Sequence, residues 1–137
     1  MPANGWISEH LTLSEVRCKC RGRPFGPTCD GGVLRWETAE LFERIRRRCT
    51  EQVGRSCPIH ISSGVRCEEY NLRIGGATDS QHLAGRALDL RCPQEIGLEE
   101  FWAICEEEAG LGGCGRYPWG AHVDTHITDP PRRWRLP

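Results

Sequence analysis

Apolar residues recur at helical spacing in two stretches of the chain. Leu34, Leu41, Phe42, Ile45 and Cys49 keep to one face of a helix predicted over residues 34–49. Leu98, Phe101, Trp102 and Cys105 do the same over 98–109, and Gly110 stands where a helix stops. Two shorter helices are expected. Thr12-Leu-Ser-Glu15 has the form of a capping box that opens one, and Glu68 to Arg73 reads as the other. The strands are brief: Ile59-His-Ile61 after Pro58 and before Gly64, then Ala87 to Arg91, Gly113 to Tyr117 and Ala121 to Ile127. A turn containing Pro118 and Gly120 joins the last two, while 21–32 and 74–85, punctuated by glycine, read as loops. This order predicts an α+β fold, a small, mainly antiparallel sheet flanked by helices, in one domain over 1–137.

Composition narrows the partners. At 137 residues the chain closes one core, though with 38% hydrophobic residues that core is thin. A net charge of -1 supplies no basic field for nucleic acid. The cluster Arg44, Arg46, Arg47, Arg48 is local and is expected near a helix end, facing solvent. No apolar run is long enough to span a membrane, and the first residues show no secretory-signal pattern, so compartment is left open. The chain is expected to be a monomer. Nine cysteines, several of them in the N-terminal segment 18–32, fit three states: disulfides, reduced thiols, or a structural metal site including Cys18, Cys20 and Cys29. The spacing of those three matches no standard zinc-knuckle pair.

Candidate chemistry lies in two segments. Ser80-Gln-His-Leu-Ala-Gly-Arg-Ala-Leu-Asp89 turns at Gly85 and enters a strand, which brings His82 and Asp89 towards a common point. His122-Val-Asp124-Thr-His126 alternates along a predicted strand and puts three polar side chains on one face. Two imidazoles and a carboxylate that leave a fourth position free are a ligand set for catalytic zinc. By spacing alone, scattered surface polar residues are the stronger reading. Trp36, Trp102 and Trp134 are expected in the core. Tyr117 and Trp119, close to His122, are candidates for lining a cleft. His10 and His60 have no motif around them.

The Ser-x-His-x-x-Gly-x-Ala-x-Asp pattern at 80–89 resembles the first zinc motif of the zinc D-alanyl-D-alanine carboxypeptidase family, which shares its fold with the hedgehog signalling domain. The similarity includes Ile61-Ser-Ser-Gly-Val-Arg66, Glu69-Tyr-Asn71, Gly75-Gly-Ala77, Gly113-x-Gly115-x-Tyr117-Pro118 and His122-Val-Asp124, covering roughly residues 10–134. The resemblance implies one zinc per chain held by His82, Asp89 and His122. It also implies that Ser80 orients the His82 loop and that Arg66 binds substrate and receives developing negative charge. The implied function is hydrolysis of peptidoglycan peptides, as carboxypeptidase or endopeptidase, in the manner of a small phage or prophage lysis enzyme. The alternative is a non-catalytic, hedgehog-like zinc module that binds a protein. One departure stands out: Trp119 occupies the position where many members carry a catalytic carboxylate. Asp124 is the substitute candidate, either as general base or as the group that holds a ligand. His126 is a further candidate on the same face, as a supporting polar residue, a substitute ligand or a transition-state donor.

Overall fold

The computed structural model describes residues 5–21 and 28–137. Part of the glycine-rich loop expected at 21–32 therefore lies outside the described residues. A short hairpin, β1 (Trp6–Ser8) and β2 (Leu11–Thr12), leads into helix α1 (Leu13–Val16). The capping box that opens α1 is formed: the Thr12 N–H donates to Glu15 Oε1 at 2.9 Å. Neither hairpin strand was expected from the sequence, because each is too short to show a period.

Helix α2 (Trp36–Val53) starts two residues later than its apolar pattern, runs about one turn beyond Cys49 and ends at Gly54, whose φ of +84° allows the left-handed turn there. The extra turn changes the reading of the arginine cluster, which sits mid-helix. Arg44 and Arg48 bond Glu108, and Arg48 also bonds Glu107, so the cluster fastens α2 to helix α4 (Leu98–Ala109). Trp36 begins α2 facing outward at 66% exposure, contrary to the expected core position. It stands two residues before Thr38, where the buried helical face begins.

The main sheet has five strands in the order β3-β4-β6-β5-β7. These are β3 (Ile61–Ser63), β4 (Ala87–Arg91), β5 (Cys114–Tyr117), β6 (Gly120–Asp124) and β7 (Arg133–Arg135), all antiparallel except the parallel β5–β7 pair. The first strand falls two residues later than Ile59-His-Ile61 suggested, and β7 has no apolar alternation to announce it. One sheet face is closed by α2 and α4. Leu88 and Leu90 of β4 and Ala121 and Val123 of β6 are buried there with Leu41, Phe42, Ile45, Phe101 and Cys105. A one-residue slip would exchange these apolar residues for Asp89, His122 and Asp124. Each buried Val or Leu is worth about 1.5–3 kcal/mol, so the helix-facing side locks the register of the polar side.

That register builds a row across the sheet. Ser63 pairs with Asp89, Asp89 with His122, His122 with Gly115, and Gly115 with Trp134, so all five share the face opposite the helices. Gly115 is the gap in the row. A Cβ there would overlap the Trp134 indole. Its absence lets Trp134 lean over to His122, with ring centroids 4.9 Å apart. Trp134 is thus a wall of the polar face and not core. Trp102 is the tryptophan that is buried, and its indole N–H donates to the Gly120 carbonyl at 2.7 Å.

Candidate metal centre

His82, Asp89 and His122 converge on the open face, with one ligand atom from each within 4.8 Å of the others. All three are buried. Asp89 and His122 come from facing positions of β4 and β6. His82 comes from a 3₁₀ turn, Gln81–Ala84, which ends at Gly85 with φ +70°. A side chain at Gly85 would strike the Val33 carbonyl, so glycine serves both the turn and the close approach. Ser80 caps this turn: its Oγ accepts the His82 backbone N–H at 3.2 Å.

Hydrogen bonds assign a tautomer to each imidazole. His82 Nδ1 lies 2.6 Å from the Gly64 carbonyl, which can only accept, so Nδ1 carries the proton and Nε2 faces Asp89 Oδ1 at 3.2 Å. His122 is oriented the other way round. Its Nε2 donates to Asp124 Oδ2 at 2.7 Å, which leaves Nδ1 facing Asp89 Oδ1 at 3.1 Å. Each histidine is therefore held from behind by an oxygen while its free nitrogen points at the shared centre, the arrangement metal-ligating histidines require. The chemistry of the donors fits zinc: two nitrogens and one carboxylate oxygen, with room for a further ligand.

Charge is arranged to match. Burial opposes ionisation of Asp89, but bonds from His122 and His82 outweigh it and hold its pKa well below the ordinary value. Burial likewise opposes ionisation of Asp124, and His122, the Gly113 N–H and Arg132 bring it down to about 2. Burial resists protonation of His122, yet Asp124 and Asp89 raise its pKa above the usual value. Protonated His122 cannot bind a metal, so metal binding weakens as the pH falls through its raised pKa.

Arg66 stands at the end of the row. Its guanidinium donates to Asp89 Oδ2 at 3.3 Å, to Ser63 Oγ at 3.0 Å and to Asn71 Oδ1 at 3.2 Å. Asn71, buried on helix α3 (Glu68–Arg73), also donates to the Ala77 carbonyl at 2.8 Å. A side chain at Gly76 would overlap Asn71, so the Gly75-Gly76-Ala77 loop wraps closely around the pair.

A cavity of about 570 Å³ opens over the centre, lined by the three ligands, Arg66, Asp79, Ser80, Tyr117, Asp124, His126, Arg132 and Trp134 among others. Tyr117 thus lies where it was expected. Trp119 does not: it sits on the β5–β6 turn, packed on Tyr117 at 5.2 Å with Arg91 over its ring, and is not part of the cavity lining. β6 ends at Asp124, so His126 is beyond the strand and not on its alternating face. His126 still reaches the cavity rim, and its backbone N–H donates to Asp124 Oδ1 at 3.0 Å. His10 and His60 take no part; His10 bonds Glu43. Ser63, Gly64, Asn71 and Gly76 all lay within the quoted motifs, although their jobs were not visible there. Trp134 was expected in the core, and Arg132 had no sequence signal.

An α+β domain carrying a two-histidine, one-carboxylate centre at the floor of an open cleft has the ligand set of a metal-dependent hydrolase. The profile of the family described as peptidase M15 matches residues 9–128, and the chain belongs to that family of zinc metallopeptidases. A search of curated proteins found no match. No helix among the described residues is long and apolar enough to cross a membrane.

Proposed function

We propose that this zinc peptidase hydrolyses peptide bonds in peptidoglycan peptides, as a carboxypeptidase or an endopeptidase. The observation that carries the reading is the three-ligand centre at the floor of an open cleft, with a fixed guanidinium beside it. His82 Nε2, Asp89 and His122 Nδ1 would hold the zinc ion, which would supply Lewis acidity and activate water for attack at this centre. Arg66, immobilised by Ser63, Asn71 and Asp89, presents a planar donor to a substrate carboxylate or to the oxygen that gains charge. Tyr117 and Trp134 line the cavity that receives the peptide.

Asp124 is assigned as the residue that positions His122. Its side chain is fully buried and both of its oxygens are already bonded. The general-base role weighed for it from the sequence fits this geometry poorly.

The rival reading, a non-catalytic zinc module, draws on the same fact together with Trp119 in place of a carboxylate. Mass spectrometry of a peptidoglycan digest separates the two. Zinc-loaded protein is expected to release shortened stem peptides or opened cross-links, and a chelator to abolish the products. Fully metallated protein that leaves every peptide bond intact would exclude the peptidase reading on this substrate.

A further inference from the structure

The nine cysteines fall into two groups. Cys49, Cys57, Cys105 and Cys114 are buried in the hydrophobic core, where burial pushes their thiols up, and Cys92 packs at its edge. Cys18, Cys20, Cys29 and Cys67 are gathered instead. Cys18 follows α1, Cys20 lies in the 3₁₀ turn Lys19–Arg21, Cys29 precedes α2, and Cys67 is the N-cap of α3. One sulfur from each lies within 4.8 Å of the other three.

We propose that these four cysteines form a second, structural zinc site, closed by four sulfurs and separate from the catalytic centre. Spacing is the first argument. Zinc–sulfur bonds of about 2.3 Å in a tetrahedron put the sulfurs about 3.8 Å apart. Cys20 and Cys29 are 3.5 Å apart, near that edge length and well beyond the roughly 2.05 Å of a disulfide bond.

The surrounding donors are the second argument, for every sulfur has one. The Cys67 N–H donates to Cys18 at 3.3 Å, the Thr28 N–H to Cys20 at 3.4 Å and the Gly31 N–H to Cys29 at 3.3 Å. The Thr28 hydroxyl lies 3.1 Å from Cys67 Sγ, where a thiolate takes its proton as a hydrogen bond. Donors of this kind stabilise negative sulfur. Four thiols binding one zinc ion release their remaining protons to solvent, with no change of oxidation state.

The location gives the site a purpose. Cys67 follows Arg66 directly and begins the helix that carries Asn71, one of the guanidinium's partners. The metal would tie the N-terminal segment to the wall that holds Arg66. This inference concerns architecture and does not require that the catalytic centre cleave peptidoglycan.

Elemental analysis of the full chain, purified without chelator, tests it. Wild type is expected to hold two zinc ions per chain, and the His82→Ala/His122→Ala double variant one. The Cys20→Ser/Cys29→Ser variant is also expected to hold one, if it folds. Cobalt substituted into the double-histidine variant, which keeps all four cysteines, should show the intense near-ultraviolet band of thiolate-to-cobalt charge transfer. One zinc in wild type and none in the double-histidine variant, with no such cobalt band, would overturn the proposal. A Cys20–Cys29 disulfide found by non-reducing peptide mapping of freshly purified wild type would overturn it as well. Two zinc ions in a protein inert towards peptidoglycan would refute the proposed activity and leave this site standing.

Discussion

Asp124 has no exposed surface and gives one oxygen to His122 Nε2, so its effect on the metal passes through an imidazole. Asp124→Asn is expected to weaken zinc binding about 10- to 100-fold, as losses behind a ligand do, while kcat at saturating zinc largely survives. Zinc titration and zinc-saturated kcat on this variant check it; a kcat drop of about 10²-fold or more with affinity unchanged would restore the base role. Arg66→Ala is expected to lower kcat/KM at saturating zinc by about 10²-fold or more, the scale of losing one oxyanion donor. It should also weaken zinc binding, because Asp89 Oδ2 loses its partner. Steady-state kinetics at saturating zinc would remove Arg66 from the site if kcat/KM were unchanged. The positions of these residues were legible in the motifs. Their roles were not, because which imidazole nitrogen bears the proton depends on Gly64 and Asp124, contacts that exist only after folding.

Secondary elements divide by whether they bury a face. α2 and α4 pack against the sheet and against each other, so their apolar spacing shows in the sequence, as does the alternation of β4. β1, β2 and β7 are two or three residues long, and β7 is Arg-Trp-Arg, which carries no period to read. The β1–β2 hairpin is held to α2 largely through Glu43. Ser8 Oγ donates to it at 2.6 Å, the His10 N–H at 2.8 Å, and the His10 ring lies 2.6 Å away. Burial opposes ionisation of Glu43, and these partners outweigh it, lowering its pKa below the ordinary value. A depressed carboxylate stabilises the fold above its unfolded pKa of about 4.3, and that contribution disappears as the pH falls through the folded value. Glu43→Gln should therefore cost about 1–2 kcal/mol at pH 7, with the gap to wild type closing at pH values below about 4. Denaturant titrations at several pH values measure this, and a gap that persisted undiminished in acid would contradict it.

At the scale of the whole molecule, an apolar layer of two helices locks the sheet register, and the register carries a polar row to the opposite face. The α+β class was legible because the helical and strand patterns alternate along the chain. The meeting of the cysteines was not. Cys67 stands 49 positions from Cys18 and shares no local motif with it, so only tertiary packing joins them. The central claim is that zinc at His82, Asp89 and His122 is what cleaves the substrate. Metal-free protein titrated with zinc, with hydrolysis of peptidoglycan peptides followed at each step, tests it most directly. Activity should be absent without metal, rise as the His82, Asp89 and His122 site fills and then level off, while His122→Ala stays inactive at every zinc concentration that leaves it folded. Hydrolysis by the metal-free protein, or full activity of His122→Ala, would contradict the account.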